Sequence, residues 1–445
     1  MSPFTRLLLG SVFVFPLAAD VACSPSAPEA GGTLSSEVTS VENTSVKSQA
    51  IANCWLYATA GWVESLHKGA TTRDVDVSEA YWNYWYWYEQ ITGGEITLGT
   101  DAQTGTTVEQ GGWWGLAVEI IYRYGWMYQG DFLPDADAKA ARHAYAVRAL
   151  DDSLASGALK SPESRKDLKL VRQELSRAWK LGASAAADIE AIFGGTTESI
   201  TARAANGGLG ITRIHAPQEL PVLGADGTRT VTLADVIGTM APGTTPREGS
   251  RIGPEAWTET RYAWTADDDG HRRRKAMLKN LQHVLNRRLA IPFGWWVSST
   301  AQGGQFVGAR VTDSSIYGIH ESILVDYEVD DVPGYGTLRV DERETRPAAL
   351  AASLDDRARL KFFRIKNSWG TETGWTDEEL RQSGLSQLVD AGTKTKPEYL
   401  PSKPGFNDLW IDYVDRERAW GDTSDGHMLI KVALPPGLRV PILAP

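Results

Sequence analysis

The chain changes rhythm along its length, and that change constrains its architecture more than any other feature. From Cys54 the apolar residues Trp55, Ala58, Trp62 and Leu66 recur at near-helical spacing, behind Asn53 as N-cap and ahead of Gly69 as terminator. Helical patterns continue over 135–156, 164–181 and 183–193, until Gly194-Gly195 interrupts them. A looser stretch, 195–260, carries short strand-like runs such as 229–233. Asp267-Asp268-Asp269 and the basic run His271 to Lys275 then predict a helix reaching about residue 288, with Met277, Leu278, Leu281, Val284 and Leu285 as its buried stripe. From Pro292 strands dominate: 293–298, 322–329, 337–340, 361–366, 409–413 and 428–434. The expectation is an α+β fold with a helical half and an antiparallel β half. Its expected segments are a signal peptide at 1–22, a flexible tether at 23–47, the helical half at 48–130, a mostly helical insertion at 131–290, the β half at 291–434 and a tail at 435–445.

The first residues predict export. Arg6 precedes an apolar run from Leu7 to Leu17 that is too short for a permanent span, followed by Ala-rich sequence. Ala22-Cys23-Ser24 resembles a bacterial lipoprotein cleavage site, although Asp20 stands where Leu is usual. Cys23 is therefore a candidate for lipidation, with plain secretion as the rival, and both readings place the chain outside the cytoplasm. Only two cysteines occur, Cys23 and Cys54. With Cys23 lipidated or removed, Cys54 is a free thiol in an oxidising compartment, which such a protein avoids unless it uses it. A net charge of −11 argues against nucleic acid as a partner. No His, Cys or Asp cluster has metal-ligand spacing, so neither metal nor cofactor is implied. The 17 tryptophans, including those in the aromatic stripe from Tyr81 to Tyr88, suit a large aromatic core.

Three separate segments carry the chemistry. Gln49-Ala50-Ile51-Ala52-Asn53-Cys54-Trp55 puts a thiol in the first turn of a helix, where backbone N–H groups and the helix dipole favour an anion. His320 precedes the strand-like run Ser322-Ile323-Leu324-Val325. Lys366-Asn367-Ser368-Trp369-Gly370 ends another strand. In this order Cys, His and Asn resemble the papain-like cysteine peptidases. The aromatic helix from Ser78, the Gly111-Gly112-Trp113 element and Arg123-Tyr124-Gly125 are most similar to the bleomycin hydrolase and aminopeptidase C group. By eye the similarity covers roughly 46–130 and 285–375.

The resemblance implies a papain-like two-half fold that hydrolyses peptide bonds through a thioester acyl-enzyme. Cys54 would be the nucleophile, a low-pKa thiolate paired with an imidazolium, and His320 the general base and acid. Asn367 would hold the His320 tautomer, Trp369 would shield that bond, and Gln49 would donate to the oxyanion beside the Cys54 N–H. Gly111 and Gly112 would bind substrate backbone, and Trp55 would support the nucleophile. The partner would be a peptide or protein substrate. Other readings on the same residues are a transamidase or amidase, and a catalytically silent peptide-binding protein. Three departures stand out. Gln49 lies five residues before Cys54 where six is usual, so Ser48 takes the sixth place. Glu321 follows His320 where a small residue is typical, and either points outward or acts on the imidazolium. A charged insertion from Val329 to about Arg359 separates His320 from Asn367. The Pro-rich tail after Leu434 suggests a cleft left open for endopeptidase action.

Overall fold

The computed structural model describes residues 41–94, 105–134, 139–207, 209–210, 212–245, 251–264, 268–298, 305–306, 316–370, 405–411 and 428–438. The expected signal peptide, Cys23 and the tether up to residue 40 lie outside the described residues, as does the tail beyond Leu438.

Helices come first. They are α1 (Cys54–Thr71), α2 (Glu79–Thr92), α3 (Trp114–Tyr124), the short α4 (Gln129–Phe132), α5 (Lys139–Ala155), α6 (Leu168–Ala178), α7 (Ala183–Phe193) and α8 (Ile200–Ala205). Two small hairpins follow, β1 (Pro221–Leu223) with β2 (Thr230–Thr232), and β3 (Thr239–Met240) with β4 (Arg251–Ile252), flanking α9 (Leu233–Ile237). The remaining elements are β5 (Thr258–Trp264), α10 (Asp268–Asn286), β6 (Ile291–Ser298), β7 (Gln305–Phe306), β8 (Ile316–Val332), β9 (Gly336–Leu338), α11 (Pro347–Ala352), β10 (Arg359–Lys366), β11 (Phe406–Trp410) and β12 (Met428–Leu434). The main sheet runs β5-β12-β6-β8-β10-β11-β7, with β9 paired to β8. All its pairings are antiparallel except β11 with β7. The class is α+β. The 131–290 segment supplies helices α5 to α10 and also β5, an outer strand of the main sheet.

Helix ends follow local chemistry. Ser78 caps α2 by accepting from the Tyr81 N–H, and Asp167 caps α6 by accepting from Lys169 and Leu170. That second cap explains why α6 begins at Leu168 rather than at residue 164, where a separate 3-10 turn forms. Gly69, expected to end α1, lies inside it. A Cβ there would come within 2.5 Å of Leu223 Cδ1, so the glycine is needed for close packing against β1. The helix instead stops at Thr72, which is left-handed at φ 61° and donates to Lys68 O. Asn53 does not cap with its side chain. Its fully buried amide turns inward to Asn83 Oδ1 at 3.3 Å and His143 Nδ1 at 3.4 Å.

The aromatic stripe forms the centre of the helical half. Trp82, Trp85 and Trp87 of α2 have no exposed surface, and Trp85 stacks on Tyr124 of α3 at 3.9 Å and 7°. Several polar rims of this stripe find backbone acceptors: Tyr81 donates to Tyr124 O, Trp82 to Gly125 O and Trp87 to Glu109 O.

A buried charge cluster seats the arm that leads to Cys54. Lys47 Nζ lies 2.5 Å from Glu64 of α1, 2.8 Å from Asp76 and 2.6 Å from Glu79 of α2, and it donates to Val77 O. Glu64 and Glu79 have no exposed side-chain surface. Across the cluster Lys366 of β10 donates to Thr44, which donates to Glu64. The arm also joins the end of β10 through its backbone, by Gln49 N to Ser368 O and Gly370 N to Lys47 O.

Candidate active site

Helix α1 lies against β8, and this contact brings the three segments together. A Cβ on Gly61 would approach Ile323 Cδ1 to 3.1 Å, so the glycine lets the helix sit close to the strand. Cys54 is the first residue of α1. The backbone N–H groups of Cys54, Trp55 and Glu321 all act on its thiol, which places the sulfur beside the strand residue that follows His320. His320 lies within β8 rather than at its start, because that strand begins at Ile316.

His320 and Asn367 are joined directly. Nε2 lies 2.8 Å from Asn367 Oδ1. The same Oδ1 accepts the Ser368 N–H at 2.8 Å, and Asn367 Nδ2 donates to Asn407 Oδ1 at 3.0 Å. The amide is thereby held with its oxygen toward the imidazole, so Nε2 carries the proton and Nδ1 is the basic nitrogen. Trp369 covers the pair, its ring centroid 4.7 Å from that of His320, and Trp295 meets the imidazole edge-on at 5.6 Å. Asn407 has no signal in the sequence: it lies 40 residues beyond Asn367 and reaches it only by β10–β11 pairing.

The electrostatics correct one expectation. Although part of Cys54 remains exposed, burial of the thiol and the Glu321 carboxylate push it up to about 12, outweighing the three N–H groups. Burial takes His320 down to about 4, against the pull of its bond to Asn367. The resting pair is therefore a neutral thiol and a neutral imidazole, not the ion pair expected from the helix dipole. Desolvation of two charges exceeds what a helix terminus returns.

Gln49 is held beside this site but is already engaged. Its Oε1 accepts from Ser368 Oγ and its Nε2 donates to Ile51 O at 3.1 Å, leaving one N–H of the amide for another acceptor. Trp55 donates to Gln110 O at 2.9 Å, and Gln110 Oε1 accepts from Ala52 N, so the Gly111-Gly112 segment is tied to the entrance of α1. The two glycines differ. Gly111 is exposed with open space at its Cβ position, and its carbonyl accepts from Tyr86 OH. A Cβ on Gly112 would lie 2.4 Å from the Trp55 ring. Gly112→Ala is therefore expected to destabilise the fold by about 1–3 kcal/mol and Gly111→Ala by less than about 0.5 kcal/mol, read by urea unfolding. The described part of the C-terminal tail runs along α10, where Asn280 donates to Leu438 O at 3.0 Å.

Among the described residues no group of three or more His, Cys, Asp or Glu could hold a metal ion, and no helix is long and apolar enough to cross a membrane. No protein-family model matches the chain, and no curated protein matches it. Among solved structures, PepW from Lactobacillus rhamnosis is similar with 11% identity and a TM-score of 0.39, over 92% of this chain and 83% of that one. A likeness of that size supports neither a shared topology nor a shared activity.

Proposed function

We propose that the chain is a cysteine peptidase of papain-like type that cleaves peptide bonds through an acyl-enzyme on Cys54. The observation that carries this reading is the bonded His320–Asn367 pair under Trp369, with the free thiol of a helix-first cysteine at the neighbouring strand residue. The thiol proton passes to His320 Nδ1 as sulfur attacks the carbonyl carbon. The oxyanion forms against the Cys54 N–H and the remaining Gln49 amide N–H. Collapse breaks the C–N bond, and the amine leaves with the proton from Nδ1. Water then gives a proton to Nδ1 and attacks the thioester, releasing the acid and restoring the thiol. Asn367 keeps the tautomer that leaves Nδ1 free. Gly111, open and backbone-exposed, is the place for an extended substrate chain to pair.

The reading extends to an extracytoplasmic enzyme, secreted or held by a lipid on Cys23. The reading also includes an open cleft and endopeptidase action, on the ground of Pro435-Pro436 directly after β12. A second reading, a silent peptide-binding protein, is favoured by the neutral thiol and by the engagement of Gln49. A peptidyl acyloxymethyl ketone followed by peptide mass spectrometry separates the two. Labelling of Cys54, slowed in Asn367→Ala and lost in His320→Ala and after denaturation, is expected of the peptidase. Peptide binding without any labelling would sink it.

A further inference from the structure

The segment that leads to Gly111 has its carbonyls taken, one after another, by side chains of α1 and α2. Glu109 O accepts from Trp87 Nε1 at 2.9 Å and from Gln90 Nε2 at 3.1 Å, and Gln90 Oε1 takes the Glu109 N–H at 2.8 Å. Gln110 O accepts from Trp55 Nε1 at 2.9 Å, and Gly111 O from Tyr86 OH. Trp55, Tyr86, Trp87 and Gln90 are all buried, so the three carbonyls face the core. In a planar trans peptide the C=O and the N–H that follows it point in opposite directions. The Gly111 and Gly112 N–H groups therefore face outward, and among the described residues no acceptor takes either of them. Gln110 fixes the segment at the mouth of the site by holding residues on both sides of Cys54, Ala52 N through its Oε1 and Trp55 Nε1 through its carbonyl. Burial, and then Glu109, raise the Tyr86 phenol above its ordinary range, so it stays a donor.

We propose that Tyr86 is a positioning residue that makes the Gly111 subsite one-sided: the site gives N–H groups to a substrate carbonyl and offers no carbonyl to the substrate N–H. The inference rests on the peptidase reading and narrows its substrate class. An extended chain that pairs with an ordinary strand residue both gives and takes a hydrogen bond at that residue. At Gly111 the second bond is missing, because the carbonyl is turned inward to Tyr86. An ordinary substrate residue must then leave its own N–H without an acceptor, whereas proline or another N-substituted residue has none to leave. The fitting substrates are chains that carry such a residue opposite Gly111.

The experiment offers a pool of acetylated peptides of mixed sequence to the full chain and reads the cut products by mass spectrometry. The best-cut peptide is remade with each N–H in turn N-methylated and each carbonyl in turn reduced to CH2, leaving the scissile bond intact. At the residue where carbonyl loss costs most, about five- to tenfold in kcat/KM, N-methylation is expected to change kcat/KM by less than about twofold. In Tyr86→Phe the Gly111 carbonyl loses its donor and the substrate N–H can supply one, so the same N-methylation is expected to cost about five- to tenfold. A merely structural role of Tyr86 would lower both peptides alike and leave their ratio unmoved. An N-methyl loss of that size in the unaltered protein, or a ratio that Tyr86→Phe does not change, overturns the proposal. Should Tyr86→Phe fail to fold by circular dichroism, the unaltered protein decides alone. If nothing is cut, the peptidase reading falls, and the same ratios are read as peptide binding to the immobilised chain. A pool from which nothing is cut or retained overturns the inference as well.

Discussion

His320→Ala is expected to slow peptide hydrolysis by about 10²–10⁴-fold while leaving the circular dichroism spectrum unchanged. The size of the loss follows from the resting state. Burial and Glu321 hold the Cys54 thiol up to about 12, so without a base at hand almost no thiolate forms at neutral pH. The imidazole, held down to about 4 by burial, is a neutral proton acceptor at every higher pH. Activity of the unaltered protein should therefore persist through pH 5 and fall only as pH drops through about 4, where His320 takes up a proton and ceases to be a base. An acidic limb centred near the ordinary imidazole value of about 6.5 would show instead that burial does not hold His320 down. Asn367→Ala should cost less than His320→Ala, because it frees the tautomer without removing the base.

Lys47→Met is expected to lower stability by about 3–5 kcal/mol, read as a fall in the urea midpoint. Glu64 and Glu79 have no exposed side-chain surface, and Lys47 is the cation that contacts both. Removing it leaves two buried carboxylates against each other. The sign with pH can be stated. Against the cost of its own burial, Glu64, Glu79 and Asp76 hold Lys47 well above the usual lysine range. Its contribution is fully present below the unfolded value of about 10.4 and is lost only as pH rises through the higher folded value. A drop below about 1 kcal/mol would mean that the cluster is solvated like a surface pair. The same arm continues into Gln49 and Cys54, so the variant should also disturb the site.

Much of this arrangement was legible locally. Apolar spacing placed α1, α7 and α10, and the strand runs at 293–298, 361–366 and 428–434 recur as β6, β10 and β12 within a few residues. Such patterns depend on residues a few positions apart, which the backbone periodicities link directly. The pairing of His320 with Asn367 was also suggested by residue types alone. The sequence by itself determined which elements form, that a free cysteine opens a helix, and which residues could act on it. What the tertiary structure decided was their state. Gly69 lies inside α1 because Leu223 of a distant hairpin crowds it, and Asn53 turns from the helix end to Asn83 and His143. The thiol is neutral because it is enclosed beside Glu321, whose own charge depends on Glu259 and Lys431, groups 62 and 110 residues away along the chain. Burial and charge act through space, with energies set by distance and by excluded water, and neither is written in the order of residues along the chain.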